Sequence, residues 1–336
     1  MQVEELKGGW IRQGSVIAFP HGWQRPAKTE EWVYETLIEK NAKSIFIEFV
    51  AFPWATLIDL IDRNKVERAN FYLEALKNLP IKKALIRATA CQHIKFKSIS
   101  SLLLDLNVTD LFASHKIIGV DQVQGIRLHP MSLYPVSFFD LQQSEYTETN
   151  AKSYLYSFVG AYDEKCYISD IRKKIFNKQH SNKAIIKKRD SWHFDLNVYK
   201  HQIECVELSL EEWSIVKQHA DDYRKILINS VYSLCPSGSG PNSIRFWESI
   251  AFGIVPILLS DHLDIPDLAK CIKYIRVPEK DFDEFITKLC NEEVFLENKK
   301  IMNDDVANKF LSNVINIFFD KAKLLGLMKR PVCGNI

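Results

Sequence analysis

The stretch VYSLCPSGSGPNSIRFWESIAFGIVPILLSD, residues 231–261, constrains the fold more than any other part of the chain. An apolar run at 231–235 predicts a strand, and Pro236 to Pro241 a turn rich in Gly and Ser. Asn242 or Ser243 supplies a helix N-cap, Gly253 a helix stop, and residues 255–259 a second, fully apolar strand. Strand, glycine turn, helix and buried strand in that order form a βα unit of a parallel sheet. A turn of this kind before a helix offers unpaired backbone N–H groups and the positive end of a helix dipole, which suits a phosphate. Arg245 and Glu248, three residues apart on that helix, project from one face. A guanidinium matches a diphosphate through bidentate, charge-assisted hydrogen bonds, and a carboxylate matches ribose hydroxyls. The same spacing also describes an ordinary surface Arg–Glu pair.

The rest of the chain alternates in the same way, and no period of 20 to 50 residues repeats. Strands are predicted at 15–19, 44–49 and 83–88, and a helix at 29–39 opened by a Thr cap. Strand ends then fall near His21, Glu48 and Cys91. The polar, aperiodic segment 138–152 reads as a linker, after which a strand at 154–159 ending at Gly160 and a helix near 168–177 restart the pattern. Domains are thus expected at 1–150 and 151–302. A long amphipathic helix within 303–336, patterned over 305–325, is expected to pack back across their junction.

With 336 residues, 46% apolar and 26% charged, the chain suits a folded globular protein of about two domains. A formal charge of +2 gives no reason to expect nucleic acid as a partner. No apolar run approaches the roughly 20 residues a membrane span needs, and the N-terminus has no signal-peptide pattern, so a cytoplasmic location is expected. The 7 scattered cysteines lack metal or redox spacing and read as reduced, mostly buried thiols. Eight positive charges between Arg172 and Arg189 form either a solvated face or a surface for anionic lipid or a lipid-linked acceptor. Asp281-Phe282-Asp283 matches a short metal-binding D-x-D, but acidic residues also favour a helix start. There is no Walker loop, complete G-x-G-x-x-G, G-x-S-x-G or H-E-x-x-H.

Cys235-Pro236-x-Gly238, Arg245-Phe246-x-Glu248, Gly253-x-x-Pro256 and Asp261 together resemble the signature of exostosin-like glycosyltransferases, family 47. Phe158-x-Gly160 with Arg172, the stretch Asp222-Tyr223 to Ser230, Cys91-Gln92-His93, Phe112 to His115, and His129-Pro130 to Val136 extend that resemblance to short bacterial members. It implies a GT-B fold, in which two Rossmann-like α/β domains face a central cleft and the second holds the nucleotide sugar. It further implies an inverting, metal-independent transfer from a nucleotide diphosphate sugar, UDP-linked by preference, to a glycan or lipid-linked glycan in O-antigen or capsule assembly. That setting brings with it a peripheral contact at the inner membrane face. Carried over, the donor would meet Gly160, Arg172, Pro236, Gly238, Ser239, Asn242, Ser243, Arg245 and Glu248. No cofactor or metal is expected beside the co-substrate.

Inversion requires a general base on the acceptor hydroxyl, from the first domain. Glu48 and His93 are the preferred candidates, with His21 and Asp59 behind them. A histidine titrates in the right range unaided, whereas Glu48 would need desolvation by Phe49 and Trp54. Two alternatives stay open. One is a related transferase using GDP-fucose or a CMP-linked acidic sugar; the other is a non-catalytic partner that keeps the fold.

Overall fold

The computed structural model describes residues 3–139, 152–266 and 273–291, apart from positions 41, 43, 45, 82, 83, 85 and 193. The expected helix at 305–325 and most of the expected linker lie outside the described residues.

The first domain contains β1 (Glu4–Glu5), β2 (Ile11–Gln13), β3 (Val16–Ala18), α1 (Thr29–Glu39), β4 (Ile47–Ala51), α2 (Trp54–Asp62) and α3 (Val66–Lys77). It continues with β5 (Ile86–Cys91), α4 (Ser100–Asp105), β6 (Asp110–Ala113), β7 (Gln122–Val123), β8 (Ile126–Pro130) and α5 (Val136–Phe139). Its eight strands run β1-β2-β3-β4-β5-β6-β8-β7, parallel from β3 through β8 and antiparallel at both edges. β4 is buried along its whole length, apolar but for Glu48.

The second domain contains β9 (Tyr154–Ala161), α6 (Ile171–Asn177), β10 (Ala184–Arg189), a π-helix (Asp195–Ile203), α7 (Leu210–Ile228), β11 (Ser230–Pro236), α8 (Ile244–Ala251), β12 (Val255–Leu259), β13 (Ile275–Arg276) and α9 (Phe282–Asn291). Its all-parallel sheet has the order β10-β9-β11-β12-β13, so the chain changes direction of travel between β9 and β11. That point opens a crevice at the carboxyl ends of the two strands. Gly253 ends α8 at φ +70°, a conformation that costs glycine least. The architecture is α/β as expected, with two Rossmann-like units.

The units are clasped together. Residues 116–118 lie antiparallel to 262–264, with Ile118 N–H donating to His262 C=O (3.0 Å) and Asp264 N–H to Lys116 C=O (3.1 Å). The buried Lys116 ammonium bridges Asp264 (2.5 Å) and Asp121 (3.0 Å). Leu133 of the first domain packs with Phe246, Trp247 and Leu263 of the second. An arm from beyond residue 150 also crosses over, with Phe194, Val198 and Ile203 packed in the first domain's core. Arg68 pins that arm by donating to the Gln202 and Ile203 carbonyls at 2.9 and 2.6 Å.

Several local expectations shift. Thr29 is the first helical residue rather than a cap, and its hydroxyl accepts the Tyr134 N–H at 2.9 Å. The strand expected at 83–88 is β5, three residues further on, so that it ends at Cys91. Of the five described cysteines, all free, Cys91 and Cys235 are buried but Cys166 and Cys205 are exposed. Among the described residues no helix is long and apolar enough to cross a membrane.

Glu48 is corrected as a candidate base. It lies near the amino end of β4, the end away from the cleft, and its two oxygens are held by Arg12 (2.8 Å) and the Arg87 Nε–H (2.9 Å), all three side chains buried. Breaking a buried ion pair strands the remaining charges, so Glu48→Ala should cost roughly 3–5 kcal/mol of stability. Urea unfolding measures this, and a loss under 1 kcal/mol would contradict the ion triad.

Candidate functional site

The crevice between β9 and β11 gathers the sequence's strongest candidates. β9 delivers Gly160, β11 leads through Pro236 into the turn that carries Gly238, and α6 and α8 deliver Arg172 and Arg245. Arg172 donates to the carbonyls of Ser237 (Nε, 2.8 Å) and Ala161 (Nη1, 3.0 Å) and lies 4.6 Å from the Tyr167 ring centroid. Arg245 donates through Nη2 to the Val159 carbonyl and lies 4.6 Å from the Phe158 ring centroid, while its buried Nε–H has no partner among the described residues. Both guanidiniums are buried, and neither forms a salt bridge with a carboxylate among the described residues. Burial, reinforced by Arg245, pushes the Arg172 guanidinium down to about 10. Arg189, at the end of β10, is also shifted down by burial and by Arg245.

Two positive groups buried without counter-charge are costly unless an anion joins them. The glycines make room for such a group. A Cβ on Gly160 would lie 3.4 Å from both Arg172 Nη1 and Arg245 Nη2, and one on Gly238 would lie 3.1 Å from Arg172 Nη2. Ser239 is exposed at the tip of the turn, and Ser243 is the N-cap position of α8, where its side chain makes no capping bond.

Two other donor-site candidates are placed differently. The Glu248 carboxylate is 1% exposed and accepts from the Ser137 N–H (2.9 Å) and the Tyr223 hydroxyl (2.7 Å), so it ties α8 to α5 and has no face toward a ribose. Asn242 donates to the Ser114 carbonyl (2.6 Å) and accepts from Trp247 Nε1–H (2.8 Å), so its amide is spent on the domain clasp. Asp283 pairs with Lys178 at 3.0 Å. Of the basic stretch, Lys187 pairs with Asp222 (3.0 Å), and Lys188 lies over Phe176.

Across the cleft, the carboxyl ends of β3 to β6 carry a connected polar network. Asp59 on α2 accepts from Gln24 Nε2–H (2.6 Å) and faces His93 Nε2 at 3.3 Å. Gln24 in turn accepts from Gln92 Nε2–H (3.1 Å), and Gln92 N–H donates to Glu30 (3.0 Å). The Lys95 N–H donates to His93 Nδ1 at 3.0 Å, which leaves the ring proton on Nε2, pointing at Asp59. Both His93 nitrogens are therefore engaged, and the ring steadies Asp59 instead of standing free to take a proton. His21, by contrast, packs edge-on against Phe19, centroids 5.0 Å apart. His115, not singled out from sequence except within a family-like segment, follows β6 and touches the glycine turn of the other domain. Its position just past a strand end was the available signal.

These features define a class: a two-domain α/β protein with two buried guanidiniums in a crevice at the switch point of its second sheet and a hydrogen-bonded network around Asp59 opposite. The chain matches the Exostosin GT47 domain over residues 87–291, more than half its length, and it belongs to that family. It is 29% identical over 96 residues to a probable beta-1,4-xylosyltransferase, IRX10, of Arabidopsis thaliana, covering 27% of this chain and 23% of the relative. It is 26% identical over 106 residues to a probable glucuronosyltransferase, Os02g0520750, of Oryza sativa subsp. japonica, covering 30% and 24%. The chain thus spans about a quarter of the length of the curated relatives it matches. Among solved structures, the pneumococcal O-GlcNAc transferase GtfA in complex with UDP and GlcNAc aligns over 90% of this chain and 60% of its own, at TM-score 0.37 and 13% identity. The lipopolysaccharide outer core galactosyltransferase WaaB, apo form, aligns over 90% and 80%, at TM-score 0.36 and 12% identity.

Glu30 adds a pH dependence. Burial pushes its carboxyl up to about 8, against the backbone N–H groups of Gln92 and Ala55 that favour the anion. An acid raised in the folded state stabilises the fold fully below its unfolded value of 4.5 and loses that contribution as pH rises through about 8. Stability should therefore fall between pH 5 and 8, by up to about 1.4 kcal/mol per unit. Glu30→Gln should flatten that slope in urea unfolding at stepped pH; an unchanged slope would mean that Glu30 is ionised throughout.

Arg245→Met supplies a second test. Without anion the variant should melt no lower than the parent, because one uncompensated buried charge is gone, and stabilisation by UDP should disappear. Thermal unfolding with and without UDP reads both; lower stability with a retained UDP shift would assign Arg245 to structure alone.

Proposed function

We propose that this protein is an inverting glycosyltransferase, moving one sugar from a nucleotide diphosphate sugar to a hydroxyl of a glycan or lipid-linked glycan. The observation that carries the reading is the pair Arg172 and Arg245, buried together at the switch point with no carboxylate partner among the described residues. A diphosphate offers two adjacent anionic groups for two guanidiniums, and both are pre-set by backbone carbonyls and aromatic faces. These side chains supply the positive charge that would otherwise come from a divalent cation, so activity is expected to survive EDTA.

Asp59 is assigned as the general base. His93 and Gln24 each donate toward one of its oxygens, which fixes the carboxylate while leaving lone pairs for a third donor. In the proposed step the acceptor hydroxyl gives its proton to Asp59 as its oxygen bonds to the anomeric carbon. The bond from that carbon to the diphosphate oxygen breaks, and the nucleoside diphosphate leaves with the bonding electron pair toward Arg172 and Arg245. UDP-sugars are the favoured donors, and O-antigen or capsule assembly the favoured setting, on the strength of the family resemblance.

Nucleotide release from UDP-, GDP- and CMP-sugars in the presence of glycan acceptors tests the reading. Asp59→Asn should lower kcat by at least 100-fold while UDP still stabilises the protein. Release of no nucleotide from any donor, together with retained UDP binding, would favour a non-catalytic partner that keeps the fold.

A further inference from the structure

We infer that His115 of the first domain is a fixed hydrogen-bond donor to the donor's diphosphate, contributed across the cleft through its Nε2–H. The inference rests on the donor-site reading above and extends it to the opposite domain.

His115 lies two residues beyond β6 and is 7% exposed. Its ring presses on the backbone of the glycine turn, so that a Cβ on Gly240 would lie 2.5 Å from Nδ1 and 2.8 Å from Ile94 Cγ2. The neighbouring Ser114 carbonyl holds the Asn242 side chain at 2.6 Å, and the Asn242 backbone N–H points at His115 Nδ1 at 3.4 Å. These contacts make Nδ1 the acceptor, so the proton of the neutral ring is on Nε2. Nε2 has no hydrogen-bond partner among the described residues and is not among the sealed, unsatisfied atoms. The groups facing this ring are the Asn242 amide, Ile94, the Gly240 backbone and, more distantly, His93, with no carboxylate paired to it. A cationic imidazolium would turn an N–H toward the Asn242 N–H, so the neutral form is the one that this geometry holds.

The ligand class follows from the turn. Gly238 N–H donates to Gly240 C=O at 2.9 Å, so the two glycines are the two sides of one tight turn. Arg172 packs against the first and His115 against the second. One domain thus brings a guanidinium and the other the Nδ1 and Cε1 edge of an imidazole to the same turn. A diphosphate oxygen meets both only while the clasp between domains is shut, so donor binding and closure stabilise each other.

Replacement by amides separates the two ring nitrogens. Glutamine extends an N–H donor to the Nε2 position, whereas asparagine reproduces only the Nδ1 position. Calorimetric titration of the full chain with UDP and UMP is the measurement. His115→Asn should weaken UDP binding about 10- to 100-fold, the range for a hydrogen bond to a charged group, with UMP changed much less. His115→Gln should restore UDP binding to within a few-fold of the parent. In ¹⁵N-labelled protein the neutral His115 ring should show the shifts of the Nε2–H tautomer, and its Nε2 resonance should move on adding UDP. UDP binding unchanged in His115→Asn, or an equal loss of UDP and UMP in both variants, would overturn the role of His115 while leaving the donor site standing. Failure of the parent to bind UDP, GDP or CDP at all would overturn the donor reading itself.

Discussion

Two guanidinium groups buried in one crevice, neither salt-bridged to a carboxylate among the described residues, are the constraint around which the second domain is arranged. Isolated, each would cost several kcal/mol to desolvate. The domain offsets this with carbonyl oxygens at the carboxyl ends of β9 and β11 and with the faces of Phe158, Tyr167 and Tyr223. None of these neutralises the charge. Gly160 and Gly238 are needed because any side chain there would fill the space beside the guanidiniums. The sheet order β10-β9-β11 is what separates the two strand ends enough for such a crevice to exist.

The second level of organisation is the clasp. Asn242, Lys116, Glu248 and the short antiparallel pairing of 116–118 with 262–264 all spend polar groups on joining the domains. Burial of Lys116 alone would lower its pKa, but hydrogen bonds to Asp264 and Asp121 outweigh this and raise it, so the ammonium stays charged inside the junction. The arm from Phe194 to Ile203 reinforces the same closure by adding apolar side chains of the second domain to the first domain's core. Tyr199 of this arm, with Arg63 3.7 Å over its ring, brings the arm to the helix that bears Asp59.

Legibility in the sequence followed the locality of the signal. The unit from β11 to β12 was readable nearly to the residue, since strand, glycine turn, helix stop and buried strand are each encoded by neighbours. The 19-residue α7 is hard to see in the sequence, although Ser209 and Glu212 form a full capping box at its start. Its mean burial is low, and its apolar positions are too sparse to form a stripe. The site divided along the same line. That Arg172 and Arg245 share a crevice depends on sheet order, yet each stands beside a glycine turn that marks it. Glu248 and Asn242 carry the same local marks, and only the approach of Ser137 and Ser114 from the other domain shows that their polar atoms are taken. Glu48 misled for a related reason: an acidic residue within a strand does not disclose which end of the sheet it occupies, and Arg12 and Arg87 reach it from 36 and 39 residues away.

The distribution of charge across the cleft bears on the direction of a displacement. Around Asp59 the first domain presents an anion held by amide and imidazole donors, with Glu30 and His115 kept uncharged by burial and the one charged ammonium of the clasp, Lys116, paired with Asp264 and Asp121. The second presents fixed positive charge. In the proposed transfer, negative charge passes from the acceptor side to the departing diphosphate, down this gradient, with no large reorganisation of the protein groups. A preorganised field of that kind lowers a barrier only if water is kept from screening it. On this view the clasp does more than join two sheets. It holds the carboxylate network and the guanidinium crevice at one separation, and the glycine turn between His115 and Arg172 is where both domains come to bear on the same bond.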